Sequence, residues 1–213
     1  MQRIAVIDYG MGNLRSVSKA IEHVAPEADV VVSADAGVIE AADKIVCPGQ
    51  GAAADCMAAL RDSGLSGTIG DIVGSRPFLG ICMGYQVLFS TSDENTGTQC
   101  LNIIPGRVKR FSDPLIAKGS RLKVPQMGWN EVQQVRHHAM WSDIPDRARF
   151  YFAHSYYCVP EDETIVTGNC DYGHNFAVAV AMPNLFACQF HPEKSAATGL
   201  QLLRNFTLWD GRS

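Results

Sequence analysis

One cysteine lies in a setting that suits a nucleophile. The apolar residues 78–81 predict a buried strand, and Cys82 follows that strand between Gly80 and Gly84. This spacing matches the G-x-S-x-G nucleophile elbow, in which a sharp turn from strand to helix lifts the middle side chain out of the sheet. The unpaired N–H groups and the dipole at the start of a helix favour the thiolate. Cys82 is therefore a candidate nucleophile, although a small buried cysteine between two packing glycines would show the same pattern.

The chain has six histidines, and the neighbours of His191 suit a general base. It follows the apolar stretch 185–190 and precedes Pro192 and Glu193. Residues two apart in an extended segment point to the same side, so Glu193 can reach one imidazole nitrogen while the other faces a nucleophile. Taken alone, residues 191–193 also fit a turn in which His191 and Glu193 form a charge pair on the surface. Together with the elbow cysteine, it favours a Cys-His-Glu triad.

The run Pro48-Gly-Gln-Gly51 follows a predicted strand at 44–47. Glycines on both sides of Gln50 permit a backbone conformation whose N–H groups point into a cleft, as an oxyanion hole requires. The same residues would also serve as a simple turn before a predicted helix at 52–60.

Apolar strands and amphipathic helices alternate through the first 90 residues, which predicts a parallel, doubly wound sheet. In such a sheet the chemistry lies at the carboxyl ends of the strands, where both Gly49 and Cys82 are expected. The predicted strands are 3–8, 29–33, 44–47 and 78–81, and the predicted helices are 14–24, 52–60 and 65–74.

The second half has a different pattern, with several alternating and therefore antiparallel strands. We expect a polar loop at 91–101 and a closing helix at 196–209. The predicted fold class is α/β, with a mostly parallel central sheet flanked by helices and additional antiparallel strands in the C-terminal half, in one domain spanning 1–213. The predicted strands are 106–111, 130–135, 150–157, 165–170, 176–181 and 185–190.

Composition narrows the class of protein. Hydrophobic residues make up 46% and charged residues 19% of the 213 positions, as in a compact globular protein. A net charge of −4 without a basic stripe argues against nucleic acid or an anionic membrane as a partner. No signal peptide is recognisable, and the seven cysteines form no C-x-x-C pair. We therefore expect a cytoplasmic protein with free thiols.

No cofactor is expected. Gly10 and Gly12 begin a glycine pattern after the first strand, but the third glycine of a dinucleotide site would fall at Arg15, which argues against NAD or FAD. No metal site is expected either, because Cys82, His191 and Glu193 do not have ligand spacing on one element. Asn13 either caps the first helix or faces a ligand.

Three motifs resemble the signatures of the class I, triad-type glutamine amidotransferases. Further segments are similar to the glutaminase subunits of imidazole glycerol phosphate synthases, and the resemblance extends from residue 4 to about residue 206. The three motifs are Pro48-Gly-Gln-Gly51, Gly80-Ile-Cys82-Met-Gly84-Tyr-Gln86 and His191-Pro-Glu193. The further segments are Asp8-Tyr-Gly-Met-Gly-Asn-Leu14, Met127-Gly-Trp-Asn130, Tyr151-Phe-Ala-His-Ser-Tyr156 and Gln189-Phe-His-Pro-Glu-Lys-Ser195.

The resemblance implies hydrolysis of glutamine to glutamate and ammonia. Cys82 would attack the side-chain amide, His191 would transfer protons, and backbone N–H groups of Gln50 or Gly51 and of Met83 would form the oxyanion hole. The residues implied in holding the substrate are Gly49, Gln86, Glu94, Ser155 and Tyr156, with Glu94 facing the α-ammonium.

The resemblance also implies a partner, since the family couples glutamine hydrolysis to a synthase. Here that partner would be a cyclase subunit with a (β/α)8 barrel, which forms a heterodimer with this chain and receives the ammonia for histidine biosynthesis. The implied interface residues are Asn13, Met127, Trp129 and Lys194. The alternatives are another class I amidotransferase, a cysteine hydrolase such as a peptidase, or a non-catalytic regulatory subunit, although such subunits typically lack the cysteine or the histidine.

Overall fold

A computed structural model describes residues 1–117 and 120–212 of the chain. Its helices and strands, in chain order, are β1 (Arg3–Ile7), α1 (Leu14–Val24), β2 (Asp29–Ser33), α2 (Ala36–Glu40), β3 (Lys44–Gly49), α3 (Ala53–Asp62), α4 (Leu65–Ile72), β4 (Phe78–Cys82), α5 (Met83–Gln86), β5 (Phe89–Ser92), β6 (Thr98–Gln99), β7 (Ile104–Arg110), β8 (Leu115–Ala117), β9 (Ser120–Leu122), β10 (Gln126–Gln134), β11 (Ala148–His154), β12 (Tyr156–Pro160), β13 (Val166–Asp171), β14 (Asn175–Met182), β15 (Leu185–Cys188) and α6 (Ala196–Leu208). Short 3-10 helices span Glu94–Thr96, Ala139–Trp141, Glu163–Ile165 and Pro192–Lys194.

Thirteen strands of the described residues form one sheet, whose main order is β2-β1-β3-β4-β15-β14-β12-β7-β5-β6. The pairs from β2 to β15 are parallel, whereas β15 pairs antiparallel with β14, and β14 with β12. The strands β10, β11 and β13 extend the antiparallel part. The predicted fold class is confirmed. The prediction of one domain stays a prediction, supported by a sheet that joins β4 to β15 from the opposite half of the chain.

The parallel strands β1, β3, β4 and β15 are buried on both faces, which explains their continuous apolar sequences, whereas the edge strand β2 is only partly buried. In β1, Ile4 and Val6 pack in one cluster with residues of α1 and α6, while Ala5 and Ile7 pack in a second cluster with residues of α2, α3 and α4. Helices therefore cover both faces of the parallel sheet, as predicted.

The first helix begins and ends as its sequence predicts. Its buried residues include Val17 and Ile21, which share the expected face. The Asn13 side chain accepts a hydrogen bond of 3.3 Å from the Ser16 N–H. The structure therefore favours the capping role of Asn13 over contact with a ligand.

The predicted strand 150–157 is wrong in one respect, because it is two strands separated at Ser155. β11 pairs with β10, whereas β12 pairs with β7 and β14. The chain changes its strand partners at Ser155, and the local pattern of apolar and polar residues does not indicate this change.

The predicted loop 91–101 is also partly wrong. It includes the end of β5 and all of β6, and β5 pairs with both β6 and β7. Strands of two to four residues are too short to show a period. For the same reason the sequence did not predict α2, β8 or β9. In the described part of the chain, the structure contains no helix with the length and apolar character needed to cross a membrane.

The short helix α5 packs closely against β3, and this packing requires glycine at position 84. A Cβ atom on Gly84 would overlap the carbonyl oxygen of Cys47. A Cβ atom on Gly80 would lie 2.8 Å from the Gly84 carbonyl oxygen. The two glycines of the elbow thus let β3, β4 and α5 approach one another.

We expect Gly84→Ala to lower the free energy of unfolding by at least about 2 kcal/mol, because backbone atoms must move to admit the methyl group. Gly70→Ala in α4 is the matched control. A Cβ atom there meets nothing within 4 Å, so stability should be unchanged or increase by up to about 1 kcal/mol. Urea unfolding measures both, and equal midpoints for Gly84→Ala and the unsubstituted protein would contradict the packing argument.

Candidate active site

Cys82 ends β4 and precedes α5, so it lies at the turn that its sequence predicts. Its backbone has φ 55° and ψ −109°. This conformation is rare for a residue with a side chain and costs on the order of 1–3 kcal/mol, which the surrounding packing must supply. Cys82 is also next to Gly49 in the parallel register of β4 and β3. The sharp turn that exposes a nucleophile is therefore present.

The His191 ring is held by a buried carboxylate. Its Nδ1 lies 2.9 Å from Oε1 of Glu193, and their side chains are only 7% and 1% exposed. The backbone of His191 is also fixed, because its N–H donates to the Tyr151 carbonyl at 2.9 Å and its carbonyl accepts from Ser195 Oγ at 2.6 Å. The predicted pairing of His191 with Glu193 is thus present in the structure.

Cys82 lines the same cavity as His191, and its proximity changes the pKa of the His191 ring. Burial acts to lower the pKa of His191, but the interactions with Cys82 and Glu193 raise it to about 10. A protonated imidazole between a thiolate and a carboxylate is an arrangement that can both hold a nucleophile in its reactive form and donate a proton.

A cavity of about 430 Å³ lies in front of Cys82 and His191. It brings together residues from the ends of β3 and β4 with residues of β10, β11 and β12. The predicted site residues in its wall are Gln50, Gly51, Cys82, Met83, Gln86, Glu94, Met127, Ser155, Tyr156, His191 and Lys194. The wall also contains Pro125, Tyr151, Ala153 and His154.

Four predicted residues do not line this cavity. Glu193 lies behind His191, and Asn13 caps α1. Gly49 serves by its small size, because a Cβ atom there would lie 2.5 Å from the Tyr9 hydroxyl oxygen and 2.6 Å from Met83 Cβ. Trp129 is 44% exposed on β10.

Three backbone N–H groups near Cys82 are candidate donors to an oxyanion. We call residues 48–51 the oxyanion turn. Within residues 1–117 and 120–212, the N–H groups of Gln50 and Gly51 donate no hydrogen bond. Met83 is the first residue of α5, and the first N–H groups of a helix have no partner inside the helix. These three predicted donors are thus available in the structure.

The predicted substrate-binding side chains are held by specific contacts. Oε2 of Glu94 accepts a hydrogen bond of 2.7 Å from the Ala53 N–H at the start of α3. Nε2 of Gln86 donates to Gln189 Oε1 at 2.9 Å and to the Tyr156 carbonyl at 3.3 Å. In the part of the chain that is described, Oε1 of Gln86 is buried without a hydrogen-bond partner.

Sequence analysis missed Gln189 as a site residue. It is fully buried, and its Nε2 lies 3.9 Å from the Cys82 sulfur. The spacing indicates only that Gln189 shares a side with His191, because residues two apart in an extended segment point the same way. Its contact with Cys82 depends on the pairing of β15 with β4.

His154 is a second residue of the cavity wall that sequence analysis does not assign to the site. It lies on β11. Its Nδ1 donates to the Tyr156 carbonyl at 2.7 Å, and its Nε2 lies 2.9 Å from the Gln126 side-chain amide. Burial lowers the pKa of His154 to about 4, so this ring is neutral and supports the cavity wall.

Comparisons with known proteins give matches over nearly the whole chain. The profile of the family described as glutamine amidotransferase class-I matches residues 5–209. The chain is 54% identical over 212 residues to imidazole glycerol phosphate synthase subunit HisH of Pseudomonas putida, with 100% of both chains covered. It is 56% identical over 210 residues to the protein of the same name from Dechloromonas aromatica, covering 98% of this chain and 97% of the relative.

Solved structures share the fold. A crystal structure described as a glutamine amidotransferase matches with a TM-score of 0.70 at 18% identity, covering 96% of this chain and 97% of the other. The glutaminase domain of Trypanosoma brucei CTPS with bound acivicin matches with a TM-score of 0.59 at 17% identity, covering 99% of this chain and 95% of the other. At such low identities these likenesses concern the fold alone.

We expect the His191 ring to titrate near pH 10 in the unsubstituted protein, and at a lower pH in Cys82→Ser, because a hydroxyl does not replace the interaction by which Cys82 raises the pKa of this ring. NMR of the labelled ring measures this pKa, and Cys100→Ser is the control. An unchanged pKa in Cys82→Ser would contradict the contact. The unfolded chain releases this proton near pH 6.5, so His191 stabilises the fold fully below that pH and loses this contribution as the pH rises to about 10.

Proposed function

The chain belongs to the class I glutamine amidotransferases, as its motifs predicted, and we propose that it is the glutaminase subunit of an imidazole glycerol phosphate synthase, in histidine biosynthesis. The observation that carries this proposal is the His191 imidazole, which is hydrogen-bonded to the buried Glu193 carboxylate and lines one cavity together with Cys82. The relatives named above support the pathway.

The first half-reaction is acyl transfer to sulfur. The Cys82 thiolate attacks the side-chain amide carbon of glutamine, and the amide oxygen becomes an oxyanion. N–H groups of Met83 and of Gln50 or Gly51 stabilise this oxyanion, at roughly 3–4 kcal/mol per donor in comparable enzymes. His191 gives its proton to the amide nitrogen, the carbon–nitrogen bond breaks, and ammonia leaves a thioester on Cys82.

The second half-reaction hydrolyses the thioester. Neutral His191 now takes a proton from water, which attacks the thioester carbon through a second oxyanion. The carbon–sulfur bond breaks, glutamate leaves, and the thiolate and the imidazolium are restored. Glu193 keeps the ring oriented and stabilises its positive charge in both halves, without itself transferring a proton.

The polar groups of the cavity fit free glutamine as the substrate. Glu94 lies in the wall with one oxygen at the Ala53 N–H, so its second oxygen can accept from an α-ammonium. Gln86 lies in the same wall, with its Nε2 fixed by Gln189 and by the Tyr156 carbonyl. Ser155 and Tyr156 line the same wall. We assign these four residues to substrate binding. Gly49, the fifth residue predicted for this role, contributes indirectly, because its small size lets Tyr9 and Met83 pack beside the site.

We further propose that the ammonia passes to a cyclase subunit with a (β/α)8 barrel, bound as a heterodimer over the mouth of the cavity. Met127 lies in the cavity wall although it is 67% exposed, and Lys194 lies in the same wall. The Trp129 ring packs edge-on against Tyr151, another wall residue, with 6.3 Å between centroids. Exposed apolar side chains continuous with the site support an interface there. Asn13 is the remaining predicted interface residue. Its side chain caps α1, and its contact with the cyclase subunit stays a proposal.

A diazo-ketone analogue of glutamine should label the protein at Cys82, and the label should be absent in Cys82→Ala. The analogue needs both the glutamine site and an activated thiolate, so labelling reports both at once. Peptide mapping by mass spectrometry locates the label, and the fold of the variant is checked by circular dichroism. Cys100→Ala is the matched control and should label like the unsubstituted protein. A label that persists in Cys82→Ala would disprove the nucleophile assignment.

Trp129→Ala should weaken binding of the cyclase subunit by at least about 10-fold, because a half-exposed aromatic at the centre of an interface contributes on the order of 1–2 kcal/mol or more. Leu208→Ala is the control, since Leu208 is 74% exposed on α6 and belongs to no proposed interface. Titration calorimetry measures both affinities. Equal losses in the two variants, or no loss in either, would contradict the proposed surface.

A further inference from the structure

Two carbonyl groups of the oxyanion turn accept hydrogen bonds from buried side chains on its far side. The Tyr9 hydroxyl donates to the Pro48 carbonyl at 3.0 Å. The Cys56 thiol, on α3, donates to the Gln50 carbonyl at 3.5 Å. A thiol is a weak donor, but at this distance it meets the ordinary geometry for sulfur.

Tyr9 and Cys56 belong to the same core cluster, so it matters which carbonyl group receives the proton of each. Each of these two side chains has one proton to donate, and the two protons go to different carbonyl groups. Both carbonyls are satisfied only if the hydroxyl donates to Pro48 and the thiol donates to Gln50. Cys47 does not replace either donor well, because its sulfur is 4.0 Å from the Pro48 oxygen.

Cys56 keeps its proton under physiological conditions. Burial raises the pKa of this thiol to about 11, and the charges of Cys82 and Asp55 act in the same direction, although the interactions with Tyr9 and Gln50 oppose it. Burial also raises the pKa of Tyr9 far above its usual value. Both groups therefore remain donors at neutral pH.

The thiol contact fixes one peptide plane. In a planar trans peptide the carbonyl and the following N–H point in opposite directions. With the Gln50 carbonyl turned toward Cys56, the Gly51 N–H points away from α3. Gly51 has φ +102°, which only glycine adopts readily. Among the described residues, the Cys56 thiol is the group that tethers this exposed peptide, because the Gln50 and Gly51 N–H groups donate to no acceptor.

We propose that Cys56 is a positioning residue for glutamine hydrolysis, which holds the Gln50–Gly51 peptide in the orientation that the oxyanion requires. The inference rests on the proposed function, since it assigns a role within that reaction. Without the thiol, the peptide would rotate about the bonds beside two glycines, and the oxyanion donors would spend less time in place.

The experiment compares Cys56→Ala, which has no donor, with Cys56→Ser, which keeps one, in the full chain together with its cyclase subunit. We expect Cys56→Ala to lower kcat for glutamine hydrolysis about 10-fold to 100-fold, below the loss of an entire oxyanion donor, while KM changes less than about 2-fold. Cys56→Ser should recover most of the rate. Cys100→Ala is the matched control, because it also removes a thiol that donates to a carbonyl, that of Thr98, and its rate should be unchanged.

A second readout separates positioning from general damage. Alkylation of Cys82 by iodoacetamide forms no oxyanion, so its rate should be the same in Cys56→Ala and in the unsubstituted protein. An unchanged kcat in Cys56→Ala would overturn the inference, as would equal losses of kcat and of Cys82 alkylation, or failure of Cys56→Ser to recover the rate. If the unsubstituted protein does not hydrolyse glutamine, the proposed function itself fails.

Discussion

The parallel pairing of β4 with β3 on one side and with β15 on the other is the constraint on which the site depends. Its register sets Gly49 beside Cys82 and Cys188 beside Ile81, so the three strands end at the same edge of the sheet. The oxyanion turn, the nucleophile and the histidine each follow one of these strands. A shift of one residue in either pairing would turn the side chains to the other face and separate the groups.

This edge is held together at a cost in free energy. Cys82 has a strained backbone, and Glu193 is buried with its Oε2 unpartnered among the described residues. A buried carboxylate is costly unless a positive charge faces it, and the His191 imidazolium supplies that charge. The glycines at 80 and 84 offset the strain of the turn by allowing β3 and α5 to pack in contact. The carboxylate of Glu193 and the imidazolium of His191 therefore stabilise each other, which suits a site in which His191 transfers protons.

The sequence by itself determined the class of chemistry and most of the parallel half of the fold. β1 and α1 were predictable because each has an apolar pattern within its own segment. A strand buried on both faces is apolar at every position, whereas a helix buried on one face is apolar about every 3.6 residues. Cys82 and His191 were predictable because each lies at a strand end with neighbours that suit its role, and Glu193 because a spacing of two places it on the same side as the histidine.

Only the tertiary structure decided which further residues reach the site. Gln189 contacts the nucleophile because β15 lies beside β4, and Cys56 contacts the Gln50 carbonyl because α3 folds back against the oxyanion turn. The break at Ser155 likewise reflects a change of strand partners. Each of these features depends on a contact between segments that are distant in the sequence, and no repeating pattern of residues links such segments. Local sequence patterns report burial and backbone preference, whereas such contacts are decided when the elements pack together.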